Sequence, residues 1–340
     1  MIVTMEGTTS SKIGKKLQQL RDDGGVVALG RVLTLIIETN TSHLEEAVTA
    51  ANGASRLHPS RVIVLANDTS DSGKSSRLDA EIRIGGDAGA SEVIIIRAYG
   101  DARNNSESIV TGLMLPDAPV VAWWPSGSEQ NPASNPIGAI ASKRITDSAV
   151  QAAPGKYLHQ LAANYVPGDG DLAWTRITLW RSQLAALFDR HLDQAVTGIT
   201  VFGAANSPSA ELLAQWLSTH LGHSAEVVSS FEGDPIDGIL GVEVSFEAGA
   251  LSVIRDGDVA VIRQIGSPDS SVLLPKRSDQ DCLSEDMRFL GEDSDVNIDT
   301  DEPEFSAWKW ITPAELPDAI VSFKRDVYRS VLAAFKEHLS

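Results

Sequence analysis

The amino-acid sequence predicts an α/β protein with three parts. These are an N-terminal domain with a mainly parallel sheet, a second α/β domain with an antiparallel extension, and a short α+β tail. Three observations lead to this prediction. Apolar, β-branched runs alternate with helical patterns in the first half, a strand–helix–strand unit precedes a hairpin pattern in the second, and the last residues carry a separate strand and helix pattern. We therefore expect domains at residues 1–165, 166–285 and 286–340.

The first half of the chain alternates between helix and strand patterns. Ser10 and Ser11 precede apolar residues at helical spacing, which predicts a capped amphipathic helix. Ser42 and Glu45 have the spacing of a capping box at the start of a second helix. Because strands separated by helices are joined by right-handed crossovers, we expect a mainly parallel sheet covered on both faces. Its strands are expected at residues 31–37, 61–65, 92–97 and 119–124, with a further helix at 105–113.

The second half begins after a turn at residues 167–170. One long helix is expected from Trp174 to Phe188. A strand at 198–202, a helix at 212–221 and a strand at 225–229 then complete one βαβ unit. Three further runs, 243–246, 250–254 and 259–263, are expected to be antiparallel, because Asp256-Gly257 is typical of a tight hairpin turn.

Composition and charge exclude several classes of partner. The formal net charge is −18, which repels nucleic-acid backbones and anionic membrane surfaces, so we expect neither as a partner. No apolar run reaches the ~18 residues of a transmembrane helix, and the N-terminus lacks a secretory pattern. The single cysteine, Cys282, excludes an internal disulfide and a multi-cysteine metal site. The expected location is the cytoplasm.

Patterns typical of catalytic and cofactor sites fail in detail. The run Gly73-Lys74-Ser75 suggests a phosphate-binding loop, but Asp68 occupies the position of that motif's first glycine, and its carboxylate would repel phosphate. No glycine triplet opens a helix after the first strand, so a dinucleotide fingerprint is absent. The seven histidines are scattered and offer no complete set of metal ligands. The sequence therefore predicts no catalytic residue, no metal and no cofactor.

One loop is a candidate phosphate site, with Gly203, Ser207 and Ser209 as its candidate residues. It leads into a helix N-terminus, where free backbone N–H groups and serine hydroxyls bind anions. Capping of the helix by Ser207, with Pro208 at the first helical position, explains the same residues. Both alternatives remain open at this point.

Paired tryptophans are the first candidates for binding a partner protein. Trp123 and Trp124 end an apolar, β-branched strand, and Pro125 stops it. Ligands of parallel sheets bind at such carboxyl ends, so these side chains are candidates for a pocket wall or a partner anchor. Packing in the protein core explains them equally well.

A second cluster follows the turn at residue 168. It consists of Asp169, Asp171, Trp174, Arg176 and Arg181. The two arginines suit a carboxylate on a partner protein, because a guanidinium group forms paired, charge-assisted hydrogen bonds. Salt bridges between the two domains are the alternative.

The order of several motifs carries a family resemblance. Between residues 113 and 148 the chain contains Pro-Asp-Ala-Pro-Val-Val, Trp-Trp-Pro and Arg-Ile-Thr-Asp. Further matching segments lie at residues 24–35, 51–61, 170–176 and 274–283. Together they resemble the OpcA family of glucose-6-phosphate dehydrogenase assembly proteins over roughly the first 285 residues. Within the Arg-Ile-Thr-Asp motif, Arg144 and Asp147 become further candidates for contact with a partner.

This resemblance implies a non-catalytic assembly or activator subunit. Its partner would be glucose-6-phosphate dehydrogenase, which acts in the oxidative pentose phosphate pathway. The alternative from the residues themselves is a sugar-phosphate-binding protein or enzyme that uses the loop at residues 203–209.

The tail, residues 286–340, has a different resemblance. Segments such as Met287-Arg288-Phe289-Leu290-Gly291 and Ala307-Trp308-Lys309-Trp310 resemble the C-terminal part of a Nudix RNA pyrophosphohydrolase. Thr312 and Glu315 have capping-box spacing before a helix. The glutamate-rich helix that would hold divalent metal against pyrophosphate is missing from the sequence, so hydrolysis is not expected. A natural fusion and a joined reading frame both explain such a tail.

Overall fold

The computed structural model describes residues 1–24, 31–67, 75–84, 92–126, 129–188, 195–264 and 266–288, with the single positions 312, 315, 329 and 332. The chain divides into two compact units, residues 1–288 and 289–340. The two sheets described below belong to the first unit.

Eight strands of the described residues form the first sheet, in the spatial order β1-β4-β5-β3-β2-β6-β7-β8. All neighbours from β5 to β8 pair in parallel, whereas β1 and β4 add an antiparallel edge. The predicted mainly parallel sheet is therefore confirmed. The strands are β1 (Ile2–Thr8), β2 (Leu33–Thr39), β3 (Ser60–Ala66), β4 (Arg77–Ile84), β5 (Glu92–Tyr99), β6 (Val120–Trp124), β7 (Lys143–Thr146) and β8 (Asp169–Asp171).

Helices cover both faces of this sheet. The helices of the first unit are α1 (Ser10–Gly24), α2 (Leu44–Ala54), α3 (Ser106–Thr111), α4 (Pro136–Ala139), α5 (Pro154–Ala163), α6 (Leu172–Thr175), α7 (Thr178–Phe188), α8 (Pro208–Leu221) and α9 (Asp279–Asp286). Apolar side chains of α2 and α9 pack on one face with Ile37 and Trp123. Those of α1, α3 and α4 pack on the other face with Ile36 and Trp124. Because successive strand residues point to opposite faces, the central parallel strands β5, β3, β2 and β6 are buried on both sides, whereas the edge strand β8 is only half-buried.

A buried ion cluster holds the amino end of the parallel strands. The carboxylate of Glu92, at the start of β5, has a side chain that is only 1% exposed. It pairs with Arg21, Arg31 and Arg61, with N···O distances of 2.5, 2.6 and 3.2 Å. Because these arginines come from α1, from the segment before β2 and from β3, the cluster ties three elements to one strand end.

The second sheet has the order β10-β9-β13-β14-β15-β16. The strands β9 and β10 are parallel and joined through α8, and the remaining neighbours are antiparallel. Gly257 adopts φ +61° in the β14–β15 turn, a conformation that favours glycine, so the predicted hairpin is confirmed. The strands are β9 (Val196–Gly203), β10 (Ala225–Val228), β13 (Ile239–Phe246), β14 (Gly249–Asp256), β15 (Val259–Arg263) and β16 (Ser270–Leu273), beside a small ribbon of β11 (Ser230–Phe231) and β12 (Asp234–Pro235).

Among the described strands, β1, β4, β7, β8, β11, β12 and β16 have no counterpart in the sequence prediction. In β4, charged residues alternate with the buried side chains Ala80, Ile82 and Ile84. This strand forms because it pairs with β5 along its whole length and then accepts β1 as the sheet edge. The strict alternation of polar and apolar residues over the eight positions of β4 is itself typical of a half-buried strand, so this strand was accessible from the local pattern.

The predicted capping box at Ser42 and Glu45 is wrong. Asn40 instead begins a short 3-10 turn, Thr41–His43, by accepting a hydrogen bond from the backbone N–H of His43 at 3.1 Å. Ser42 donates its hydroxyl to Asn40, and Glu45 pairs with Arg83 on β4. The helix α2 then starts at Leu44.

The single long helix predicted from Trp174 to Phe188 is also wrong, because two helices occupy this segment. The short helix α6 ends at Thr175, and α7 begins at Thr178. Between them, the N–H of Ile177 donates to the carbonyl of Trp174, three residues back, at 3.2 Å. Such a tighter bond changes the direction of the chain at the helix end.

Segments that follow the predicted domain boundary at residue 165 pack with the first sheet. The strand β8 follows residue 165 but pairs with β7 of the first sheet. The helix α9 closes the second part in sequence, yet its Cys282 and Leu283 pack in the core of the first sheet. The chain thus returns to the first sheet after completing the second, and the division at residues 165 and 285 stays a prediction.

Some predicted features lie outside the described residues. They include most of the run Gly73-Lys74-Ser75 and the tail patterns around Trp308 and Trp310. Thr312 and Glu315 are described: the Glu315 carboxylate accepts hydrogen bonds from the Thr312 backbone N–H at 2.9 Å and from its hydroxyl at 2.8 Å. The first of these bonds is one half of the predicted capping box.

Candidate functional site

The first sheet reverses its strand order between β2 and β6. Along the chain, β2, β3 and β5 extend the sheet in one direction, whereas β6, β7 and β8 extend it in the other. Open α/β sheets bind ligands beyond the carboxyl ends of the strands at such a switch point. A cavity of about 650 Å³ lies there, and its polar lining includes Glu38, Asn40, Asp101, Arg103 and Glu129.

Two glutamates give this cavity an acidic character. Glu38 accepts hydrogen bonds from the indole N–H of Trp124 at 2.6 Å and from the Asn135 amide at 3.3 Å. The same amide nitrogen donates to Glu129 at 2.9 Å. Burial raises the pKa of Glu38, while the bonds from Trp124 and Asn135 oppose that rise. Carboxyl groups at the switch point disfavour the pyrophosphate of a dinucleotide, which other sheets of this kind bind there.

The paired tryptophans lie in the protein core. Trp123 is 1% exposed and Trp124 is 3% exposed, on opposite faces of β6. The indole nitrogen of Trp124 is satisfied by Glu38, whereas that of Trp123 has no hydrogen-bond partner. Packing explains Trp123, whereas Trp124 packs in the core and also lines the switch-point cavity, as the predicted pocket wall would. Neither ring exposes enough surface to anchor a partner protein.

Arg144 and Asp147 are buried at the edge of the first sheet. The Arg144 guanidinium pairs with Asp169 and donates to the carbonyl groups of Ala141 and Pro167. Asp147 is 1% exposed and pairs with Arg176. These contacts hold β7 to the segment around β8, and both side chains act as internal ties.

Arg176 joins distant parts of the first unit. Its two terminal nitrogens donate to the carboxylate of Asp147 at 2.7 and 2.6 Å, and one also donates to Asp279 of α9 at 2.6 Å. Arg181 lies over the ring of Trp174, with 3.8 Å from its guanidinium carbon to the ring centroid. For Arg176 the internal salt bridge, the alternative to partner binding, is therefore present.

Trp174 remains available at an apolar groove. Trp174 is 38% exposed, and Tyr165 nearby is 62% exposed. The groove has a volume of about 300 Å³ and lies between α5, β8 and α8. Exposed aromatic side chains beside an apolar groove are typical of protein–protein contacts. Its apolar lining consists of Pro132, Leu158, Leu161, Ala162, Tyr165, Trp174 and Leu212.

The predicted phosphate loop forms part of a second, basic cavity of about 290 Å³. The Ser207 side chain caps α8 by accepting from the Ala210 N–H at 3.3 Å, and Ser209 donates its hydroxyl to the Ala173 carbonyl at 3.0 Å. A side chain at Gly203 would meet Ala210, with a Cβ–Cβ distance of 2.5 Å, so this glycine permits the close packing of β9 on α8. The capping alternative is thus correct for Ser207.

Three of the four cations of this cavity were not singled out as site residues from the sequence, whereas Arg176 was. Arg255 comes from the end of β14, and Lys276 and Arg277 come from the segment before α9. The only local signal was the basic pair after Pro275 in an otherwise acidic chain. Because these residues lie far from Ser207 in sequence, only the fold brings them together.

Two absences apply to the described residues. Within these ranges, no group of three histidine, cysteine or acidic residues is arranged to hold a metal ion. Among the helices that the structure describes, none has the length and apolarity needed to cross a bilayer. Burial raises the pKa of the Cys282 thiol to about 12, so this side chain stays protonated at neutral pH.

Two models of one protein family match most of the chain. Residues 51–163 match the model described as the glucose-6-phosphate dehydrogenase subunit N-terminal domain. Residues 167–295 match the model of the corresponding C-terminal domain. The two matches together span more than half of the 340 residues.

A short stretch of the chain is similar to RNA pyrophosphohydrolases. It is 54% identical over 52 residues to the enzyme of Zymomonas mobilis, covering 15% of this chain and 34% of that protein. The enzyme of Dinoroseobacter shibae is 57% identical over 53 residues, covering 16% of this chain and 33% of that protein. The chain therefore spans about one third of the length of these curated relatives, and the predicted resemblance is confirmed over that stretch.

Two solved structures align with most of this chain at low sequence identity. A 3-ketoreductase from Actinomadura kijaniata, in complex with TDP-benzene and NADP, aligns with a TM-score of 0.42 and 10% identity, covering 74% of this chain and 87% of that chain. An oxidoreductase from Sinorhizobium meliloti aligns with a TM-score of 0.40 and 11% identity, covering 74% and 85%.

Proposed function

The chain belongs to the OpcA family of glucose-6-phosphate dehydrogenase assembly subunits, and on that premise we propose that it acts on the dehydrogenase without catalysis of its own. The observation that carries this proposal is the pair of family matches across both sheets. The acidic switch-point cavity supports it, because Glu38 and Glu129 disfavour the nucleotide phosphates that a dehydrogenase of this architecture would bind there.

The apolar groove is the surface that we propose for the dehydrogenase. Trp174 and Tyr165 keep large aromatic areas in solvent. Most side chains around them are aliphatic, and Thr146, Asp169 and Asp171 complete the lining. Covering such side chains is the main source of binding energy in protein interfaces. Arg181 stacks on the Trp174 ring, with 3.8 Å from its guanidinium carbon to the ring centroid, and so helps to hold this side chain in place.

An enzyme acting on a sugar phosphate at the 203–209 loop is the alternative. It would need a general acid or base beside the loop. The basic cavity next to the loop is lined, among the described residues, by cationic, hydroxyl and apolar side chains, with no carboxylate or imidazole. This lining supports binding of an anion more than its chemical conversion.

Neither nucleic-acid binding nor RNA pyrophosphate hydrolysis is part of the proposal. The net charge of −18 opposes the first. The second belongs to relatives of which this chain spans only a third, without their glutamate-rich helix in its sequence. A cytoplasmic location, shared with a soluble metabolic enzyme, completes the proposal.

The test measures NADPH formation by the purified cognate dehydrogenase, with and without this chain. We expect the rate to rise and then saturate as the chain is added, and the two proteins to co-elute in size-exclusion chromatography. The chain alone, at the same concentration, should produce no NADPH. Steady turnover by the chain alone, or an unchanged rate without co-elution, would contradict the proposal.

A further inference from the structure

The basic cavity lies beside the second sheet and is lined by segments that are distant in sequence. Its walls come from the α6–α7 junction, the N-terminus of α8, the end of β14 and the segment before α9. Four cations line it: Arg176, Arg255, Lys276 and Arg277. In a chain with a net charge of −18, a cavity lined by four cations and no carboxylate is a local reversal of the overall charge.

Three of these cations have carboxylate partners outside the cavity lining. The partners of Arg176 are Asp147 and Asp279. Arg277 pairs with Glu285, and Lys276 pairs with Asp237, whose side chain is 96% exposed. Such pairs neutralise part of the charge, but they leave further guanidinium and ammonium hydrogen atoms for a ligand.

Arg255 differs from the other three cations in its hydrogen bonds. Its recorded hydrogen bonds are two long ones, at 3.4 Å, to the carbonyl groups of Ile239 and Pro275, and its buried Nε has no hydrogen-bond partner. Its guanidinium carbon lies 4.9 Å from the centroid of the Trp180 ring. Burial lowers the pKa of Arg255, and the nearby charge of Asp258 opposes that effect only in part. The group still carries its charge at neutral pH, so its desolvation is relieved by an anion in the cavity.

We propose that this cavity binds the phosphate group of a small phosphorylated metabolite. Arginine has a planar guanidinium with paired N–H donors, and lysine has a compact ammonium group. Phosphate oxygens accept hydrogen bonds from both. The N-terminal end of α8 adds a positive potential at the Ser207 side of the cavity. The volume, about 290 Å³, lies at the lower limit of ligand pockets, which suits a sugar-sized molecule and excludes a polymer.

A ligand in this place would join elements that are distant in sequence. Arg176 already holds Asp279 of α9, and Arg277 donates to the carbonyl of Thr175 in α6 at 2.7 Å. Arg255 adds the end of β14. An anion shared by these cations therefore stabilises the contact between the second sheet and α9, and binding raises the unfolding temperature.

The test uses the full chain without the dehydrogenase, so its failure leaves the proposed assembly function untouched. Calorimetric titration and thermal unfolding compare glucose 6-phosphate, inorganic phosphate and glucose as probes. We expect one site for glucose 6-phosphate, an increase in unfolding temperature, weaker binding of inorganic phosphate, and no binding of glucose. Binding should weaken as sodium chloride is added, because the site is partly open to solvent.

Matched variants locate the site. Arg255→Gln should weaken glucose 6-phosphate binding about tenfold or more, since it removes a charged donor. Lys276→Gln should weaken it about threefold, because this side chain is more exposed. Arg263→Gln is the control: its side chain is 60% exposed on β15 and lies outside the cavity lining.

Several results would overturn the proposal. One is the absence of binding at millimolar concentrations of glucose 6-phosphate. Equal affinity for inorganic phosphate and glucose 6-phosphate would show that the site does not recognise the rest of the metabolite. If Arg255→Gln folds and binds glucose 6-phosphate with unchanged affinity, the anion binds elsewhere. If Arg255→Gln does not fold, unchanged affinity in Lys276→Gln leads to the same conclusion. An affinity loss in Arg263→Gln as large as in Arg255→Gln would show general electrostatic attraction instead of a site.

Discussion

Replacing Trp174 by alanine tests whether the apolar groove contacts the dehydrogenase. Trp174 is 38% exposed. If a whole tryptophan side chain offers about 250 Å², roughly 95 Å² of it is left for a partner to cover. At about 25 cal/mol per Å², covering this surface stabilises the complex by roughly 2.4 kcal/mol, which corresponds to about a fiftyfold change in Kd. We therefore expect Trp174→Ala to weaken binding by a factor of that order.

The measurement must separate binding from folding. The buried part of Trp174 packs on its neighbours, and Arg181 stacks on its ring at 3.8 Å, so the variant should also unfold at a lower temperature. Titrations against the immobilised dehydrogenase are therefore performed well below the unfolding temperature, with the folded fraction measured by circular dichroism. Activation of NADPH formation at saturating concentration of the variant gives an independent readout of the complex.

Leu273→Ala is the control for this prediction. Leu273 is 69% exposed on β16 of the second sheet, outside the groove lining, so its removal should leave binding unchanged. If folded Trp174→Ala binds within twofold of the unmodified chain, the groove is not the contact. If Leu273→Ala weakens binding as strongly, exposed apolar area in general, and not the groove, explains the effect.

Three further predictions concern the core, the buried ion cluster and the tail. Trp124→Ala should lower the free energy of unfolding by about 3–5 kcal/mol, because it leaves a cavity and removes the donor to Glu38, with unchanged dehydrogenase affinity per folded molecule. Glu92→Gln, which leaves three arginines without their shared carboxylate, should cost about 3–5 kcal/mol in urea unfolding, whereas the exposed Asp269→Asn should cost nothing measurable. Burial raises the pKa of Glu92 and the arginines lower it more, to below its ordinary 4.5, so this stabilisation is present above that pH and is lost as the pH falls through the lowered pKa. Truncation after Arg288 should leave the unfolding temperature of the first unit and dehydrogenase activation unchanged, whereas a cut within α9 should lower both.

Local patterns were sufficient for much of the fold. The β-branched runs around Ile36, Ile63 and Ile95 predicted buried strands, and all three lie in the parallel part of the first sheet. Ser207 with Pro208 predicted a helix start, and Ser207 caps α8. These signals succeed because helix periodicity, capping and turn geometry depend on neighbours within a few residues.

Local patterns identified only some residues of the candidate site. Trp123 and Trp124 were compatible with an anchor or a core role, and burial decided between these roles. Trp174 was singled out and does retain exposed surface. Arg255 was not singled out, because one arginine after an apolar strand has no distinguishing local pattern.

By itself, the sequence determined the family, the alternation of helix and strand, and the excess of acidic residues, since each of these is written in composition or in short-range order. Only the tertiary structure decided which charges meet. Arg176 reaches Asp279 across 103 positions of the chain, and Arg255 joins Lys276 beside the start of α8. Such contacts follow from the order of strands in a sheet and from the packing of helices on it, and residues far apart in sequence carry no local mark of their future neighbours.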